Sequence, residues 1–263
     1  MKLLANKLNT LVDFLAKRDI DDLSTLSLQQ KYNITQADLL ILFGGSIPEG
    51  CHVLAKSHQQ NLAKHYLLVG GVGHTTDTLR QKMQPYLPEI NISTKSEAEI
   101  FSLYLNQQYN INDCLLETNS TNCGNNITYT LELLKQLSIS PKSIIFMQDA
   151  TMQNRMDAGF RKYISTDTKL INYATYKVYF TEKDNKLCLE NNTIWEMWNI
   201  DRYIELIMGE IPRLSDNQEG YGPKGKNFIA HVDIPQEILD AYNYLHEHLT
   251  IKTRQANSLY ASK

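Results

Sequence analysis

Three carboxylates, two double-glycine turns and a run of small polar residues carry the chemical possibilities of this chain. Glu117 opens the string Glu117-Thr118-Asn119-Ser120-Thr121-Asn122, Glu97 lies in Ser96-Glu97-Ala98-Glu99, and Asp149 lies in Gln148-Asp149-Ala150-Thr151. A carboxylate can act as a general base, and one at the carboxyl end of a strand holds ribose in dinucleotide folds. Ser96 and Glu99 form a capping box, which puts Glu97 in a helix's first turn, where it either complements the dipole or faces a cleft as base or hydroxyl acceptor. Gly44-Gly45-Ser46 and Gly70-Gly71-Val72-Gly73 let backbone approach a phosphate or carboxylate closely, because glycine adds no Cβ; either could also simply end a strand. Ser120, Thr121 and Asn122 offer more polar side chains than one N-cap needs. Cys123 follows in the first helical turn, as a nucleophile with His74 or as a small buried filler. Arg155, one turn into a helix capped by Thr151, either swings toward an anionic ligand or pairs with an acid.

Several familiar motifs stop short. After Gly71-Val72-Gly73 the third glycine of a dinucleotide fingerprint is replaced by Thr76, and Gly220-Tyr221-Gly222-Pro223-Lys224-Gly225-Lys226-Asn227 lacks the Ser or Thr of a P-loop. The latter string reads as a basic Gly/Pro loop leading into an extended Phe228 to Val232. No HExxH or Cys/His cluster points to a metal.

The elements that must position these groups alternate. Asp38-Leu39-Leu40-Ile41-Leu42-Phe43 is a continuous apolar run, the mark of a strand buried on both faces. Shorter runs recur at Tyr66 to Val69, Cys114 to Leu116 and Ser143 to Met147, with a fifth strand expected within Lys169 to Phe180. Helices are expected over His52 to Lys64, Ser96 to Gln108, Asn122 to Gln136 and Met152 to Tyr163, which is βαβ spacing and predicts an α/β, doubly wound, mainly parallel sheet. Asn6 to Leu15, Ser24 to Gln30, Trp195 to Met208 and Gln236 to His248 also read as helices, the chain ends meeting as a small helical subdomain. The expected division is an arm over 1–36, a ligand-binding domain over 37–215, and a Gly/Pro loop with a terminal helix over 216–263. In such sheets ligands bind beyond the carboxyl ends of strands, which nominates the four loops beginning at Gly44, Gly70, Glu117 and Gln148.

Composition narrows the classes. The 263 residues are 42% hydrophobic and 21% charged, with a net charge of -3 and no long single-sign run, so a folded protein is expected with a small-molecule ligand and neither nucleic acid nor a polybasic membrane surface as partner. Cys51, Cys114, Cys123 and Cys188 form no CxxC pair, which suits a reducing cytoplasm. Neither a signal peptide nor a membrane anchor is expected.

Taken together, the strings at Leu42 to Ser46, Val69 to His74, Ser96 to Ala98, Glu117 to Asn126, Gln148 to Arg155 and Gly220 to Gly225 resemble the YdcF-like proteins, a bacterial domain-of-unknown-function family that includes SanA-like and ElyC-like members. The resemblance spans about residues 38–232. It implies a Rossmann-like domain with a small helical domain and a cleft associated with S-adenosylmethionine. By motif match it carries over Gly44, Gly45, Gly70, Gly71, Glu97, Glu117, Ser120, Thr121, Asn122, Asn126, Asp149 and Arg155. Where many relatives have a histidine, this chain has Thr151, so acid/base chemistry resting on that group does not transfer.

The resulting expectation is a cytoplasmic protein that binds an adenosine-containing small molecule, S-adenosylmethionine foremost. Glu97, Glu117 and Asp149 are its candidate catalytic groups, for transfer or hydrolysis, and Gly44, Gly45, Gly70, Gly71, Ser120, Thr121, Asn122, Asn126 and Arg155 contact the ligand. Two alternatives stay open: an enzyme acting on a phosphorylated or glycan envelope precursor, with Arg155 and Lys224 as anion clamps, and a non-catalytic interaction protein.

Overall fold

The computed structural model describes residues 1–190 and 193–250. Two helices, α1 (Lys2–Leu15) and α2 (Thr25–Tyr32), lead into β1 (Ala37–Phe43). Then follow α3 (Glu49–Gln59), β2 (Ala63–Val69), α4 (Thr76–Met83), α5 (Glu97–Tyr109), β3 (Leu115–Glu117), α6 (Cys123–Gln136), β4 (Ser143–Met147), α7 (Gln153–Tyr163) and β5 (Lys169–Asn172). The five strands form one parallel sheet in the order β3-β2-β1-β4-β5. The protein is thus an α/β, Rossmann-like doubly wound fold.

Strand periodicity explains why β1 is apolar throughout. Leu40 and Leu42 enter a core shared with Leu54 of α3 and Phe101 of α5, whereas Leu39, Ile41 and Phe43 enter a second core with Ile127 of α6 and Phe160 of α7. The Phe160 ring lies 5.7 Å from that of Phe43 and 5.1 Å from that of Phe146, joining neighbouring strands to one helix.

A third core lies where the first helix meets the last two. Leu8, Leu11, Val12 and Leu15, on one face of α1, pack with Tyr203 and Ile207 of α8 (Ile200–Leu214) and with Ile238 and Leu245 of α9 (Gln236–His248). A hairpin, β6 (Phe180–Lys183) with β7 (Lys186–Leu189), docks there too. Asn9 imitates a strand neighbour: its Nδ2 donates to the Phe180 carbonyl, and its Oδ1 accepts from the Phe180 N–H. Helix α2 belongs elsewhere, since Leu28 packs into the first core.

Four local expectations change. The helix expected to reach Lys64 stops at Gln59, because Ala63 already pairs with Ala37 in the sheet. The helix expected from Trp195 starts at Ile200, where the Asn199 side chain accepts from the Arg202 N–H, and runs on to Leu214. Thr151 does not cap α7; the N-cap is Met152, and the Thr151 hydroxyl donates to Asp149 instead. Residues Phe228 to Val232 join no sheet; Phe228 and Ile229 both donate to the Tyr221 carbonyl within the loop. Residues 251–263, the end of the expected terminal unit, lie outside the described residues. Among the described residues no helix is long and apolar enough to cross a membrane.

Candidate functional site

The sheet reverses its direction of growth between β1 and β4, so the loops after these strands part at their carboxyl ends, the switch point where such sheets bind ligands. One side is Gly44-Gly45-Ser46 and the other Gln148-Asp149-Ala150-Thr151. Gln148 is buried, and its Oε1 accepts from the Asp149 N–H at 2.6 Å, which fixes the orientation of the amide. Its Nε2 is buried with no hydrogen-bond partner among the described residues. That Oε1 also lies 3.7 Å from where a Cβ on Gly45 would stand, so the amide faces the first loop across the gap. A buried donor without an acceptor costs about 1–3 kcal/mol, and it asks for a partner that the described residues do not supply.

Asp149 is held by four donors. Oδ1 accepts from the Thr151 N–H at 2.9 Å and hydroxyl at 2.7 Å, while Oδ2 accepts from the Tyr176 hydroxyl at 2.6 Å and the Trp198 indole at 3.4 Å. Burial, then the Asp149 carboxylate, pushes the Tyr176 phenol well above its ordinary pKa, so Tyr176 stays a donor.

Glu97 occupies the neighbouring position, between β1 and β2. The predicted capping box is present, with Ser96 Oγ accepting from Glu99 N at 3.2 Å and Glu99 Oε2 from Ser96 N at 2.8 Å. The Glu97 and Ala98 N–H groups donate to the Gly71 and Gly70 carbonyls, which drives the first turn of α5 into the glycine turn. A Cβ on Gly44 would stand 2.3 Å from Glu97 Oε2, and one on Gly70 3.2 Å away, so glycine at both strand ends is what admits the carboxylate. Thr76 Oγ1 donates to Glu97 Oε1 at 2.9 Å and itself accepts from the Gly73 N–H at 2.7 Å. Burial raises the Glu97 pKa to about 7, against the lowering effect of the Thr76 and Thr75 hydrogen bonds. This is the range in which a carboxyl exchanges protons at neutral pH.

A strap crosses this edge between β7 and α8. Trp195 stacks on His52 at 4.7 Å and meets Tyr86 edge-on at 4.8 Å, and its N–H donates to Glu49 Oε2 at 3.1 Å. Lys82 donates to the Glu196 carbonyl, and its ammonium lies 4.5 Å over the Trp198 ring. Burial lowers the Lys82 pKa, with Glu196 and Asp149 acting in the opposite direction. This strap stands where a helix is expected from Trp195; the sequence signal for the later start is Asn199 before Ile200-Asp201, a cap followed by an acidic first turn.

The remaining sequence-nominated residues fall in two other places. Glu117 ends β3, two strands from β1, and so stands about 10 Å from β1 across the sheet, to the side of the switch point. Its carbonyl accepts from Gly70 N, and its Oε1 accepts from Asn119 N at 2.7 Å and Ser120 N at 3.1 Å. Ser120 in turn binds Gly71 N through its carbonyl and its Oγ. Asn122 is the N-cap of α6, accepting from Asn125 N at 3.0 Å; Thr121 is exposed and Asn126 is buried in the first turn. Arg155 lies between α7 and α8: Nε donates to Glu210 Oε2 at 2.6 Å and Nη2 to Oε1 at 3.1 Å, a bidentate pair with both side chains largely buried. Burial opposes its charge, but Cys123 and Glu210 facing it hold the guanidinium above its ordinary pKa.

No family model matches the chain. The geometry therefore speaks for itself: Gly44, Gly45, Gly70, Glu97, Gln148 and Asp149 gather at the carboxyl ends of β1, β2 and β4, Glu117 to Asn122 form a separate turn beside them, and Arg155 is committed to Glu210. Sequence reasoning nominated the loop that begins at Gln148 without giving that residue a role, and missed Tyr176, Trp198 and Lys82. The signal for Gln148 was its place as the first polar residue after the buried β4.

Proposed function

We propose that this protein binds an adenosine-containing small molecule at the carboxyl ends of β1, β2 and β4, with S-adenosylmethionine as the first candidate. The resemblance to YdcF-like proteins supplies the ligand class, and the bacterial cytoplasm is the compartment that goes with it. The observation that carries the reading is the buried Gln148 Nε2, without a partner among the described residues, in an amide that faces Gly45 at the switch point. It calls for an acceptor, which a ring nitrogen, a ribose hydroxyl or a carboxylate of such a ligand offers. Gly45 leaves room for close backbone approach, Glu97 packed on Gly44 is a carboxyl for a hydroxyl or for proton exchange, and Asp149 with Trp198 forms the opposite wall. If the bound molecule reacts, Glu97 is the group suited to general acid/base work in transfer or hydrolysis.

An enzyme acting on a phosphorylated or glycan precursor has less support, because Nε and Nη2 of Arg155, the edge suited to a bidentate anion clamp, are engaged by Glu210.

The deciding experiment is calorimetric titration with S-adenosylmethionine, and with S-adenosylhomocysteine, adenosine and pyrophosphate in parallel. Saturable binding of the first is expected, weakened about tenfold or more by Gly45→Ala. That substitution is sterically cheap in the free protein, since its Cβ meets nothing nearer than 3.7 Å. Silence with all three adenosine compounds while pyrophosphate binds would transfer the support to the phosphorylated-precursor reading; silence with all four would favour an interaction protein.

A further inference from the structure

The outer edge of the sheet carries a second set of groups that the switch point does not use. Beside β3 a groove of about 360 Å³ is lined by Leu116, Glu117 and Asn119 on the strand side, and by Tyr129, Glu132, Leu133 and Gln136 on the helix side. The four helical residues fall at i, i+3, i+4 and i+7, one stripe of α6 facing the edge strand. The volume lies within the range of small-molecule sites.

Glu117 is 5% exposed, and only one of its carboxylate oxygens is satisfied. Oε1 takes the Asn119 and Ser120 N–H groups, whereas Oε2 is buried with no partner among the described residues. A buried carboxylate oxygen is stabilised by a donor, best a charged one. Nothing in the lining supplies it: the groove has no Lys, Arg or His, but a second carboxylate, Glu132, and the Tyr129 ring, 37% exposed. Two carboxylates repel an anion, an exposed aromatic face attracts an ammonium, and Leu116 and Leu133 offer apolar surface.

We propose that the groove between β3 and α6 binds a small organic cation, an amine or guanidinium on an apolar or aromatic body, whose N–H donates to Glu117 Oε2. This site is separate from the switch point and does not depend on the reading given for it.

The test is titration of the full chain with tyramine, with agmatine as a guanidinium probe and 4-ethylphenol as the uncharged counterpart of tyramine. Tyramine should saturate at an affinity at least about tenfold above that of 4-ethylphenol. Glu117→Gln retains an oxygen for the Asn119 and Ser120 N–H groups but places an NH2 where the unpartnered oxygen lies. It should weaken tyramine about tenfold or more with the thermal transition retained. If that variant fails to fold, Tyr129→Ser, at an exposed position, carries the test and should weaken tyramine by several-fold. The proposal is overturned if 4-ethylphenol binds as tightly as tyramine, if neither cation saturates, or if folded Glu117→Gln binds tyramine like the parent. Gly45→Ala should leave tyramine binding unchanged. S-adenosylmethionine affinity lost in Glu117→Gln but kept in Gly45→Ala would instead overturn the switch-point reading and leave this one standing.

Discussion

A carboxyl with a pKa near 7 in a buried position makes a measurable demand on the fold. Glu97 ordinarily ionises near 4.5 and does so near 7 here, because the charged form is cut off from water. Between those values the native state keeps a proton that the unfolded chain has released, so the contribution of Glu97 to stability is full below pH 4.5 and lost as pH rises through 7. Glu97→Gln retains an oxygen for Thr76 and carries no proton to lose. In urea denaturation it should match the parent near pH 4.5 and exceed it by on the order of 1–3 kcal/mol near pH 8. A difference that does not grow with pH would remove Glu97 from the role given to it. Arg155 and Glu210 make the opposite kind of demand, since each leaves a largely buried charge behind when the other is removed. Glu210→Ala should cost about 3–5 kcal/mol, whereas the double substitution Arg155→Met with Glu210→Leu should cost much less than the sum of the two single changes. Additive losses would mean that the pair is not coupled. At this scale the sequence offered residue types only: Arg155 and Glu210 are far apart along the chain, and nothing in either neighbourhood announces the other.

At the scale of elements, the strand-to-helix turns set how closely backbones approach. A Cβ on Gly71 would stand 2.3 Å from the Ser120 carbonyl oxygen and 2.7 Å from that of Thr118, both backbone atoms that cannot swing aside. Gly71→Ala should therefore lower stability by about 1–3 kcal/mol and loosen the Glu117 to Asn122 turn, visible as faster amide exchange at Asn119 and Ser120. The strap is held by side chains more than by backbone, with Trp195 seated among His52, Tyr86 and Tyr104. Trp195→Ala should speed exchange of the Trp195 amide about tenfold or more while the amides of β1 keep their protection; equal protection in both would show that the strap is held by something else. The hairpin β6–β7 shows what a sequence can signal and a reader can pass over. Asp184 and Asn185 take positive φ at its turn, the residue types a two-residue hairpin favours, but the polar Thr181-Glu182-Lys183 hid the strand.

At the scale of the molecule, two cores flank the sheet and a third ties the first helix to the last two. Leu8, Leu11, Val12 and Leu15 are essentially fully buried there, and at about 1.5–3 kcal/mol each their sum rivals the whole stability of a domain. Removing residues 1–16 should abolish the cooperative thermal transition of α8 and α9, read by loss of near-ultraviolet dichroism from Tyr203 and its neighbours; an unchanged transition would make α1 dispensable. By itself the sequence determined the α/β class, the parallel sheet and nearly every helix on it, because hydrophobic period and strand-ending glycines are local properties that nearby residues enforce. It also set Glu97 in a helix's first turn, since a capping box needs only four consecutive residues. Tertiary structure alone decided that Glu97 wedges between two strand ends, that Gln148 Nε2 and Glu117 Oε2 are left without partners among the described residues, and that Arg155 is neutralised by Glu210. These depend on which distant surfaces meet, and burial, the quantity that shifts a pKa or orphans a polar atom, exists only once they have met.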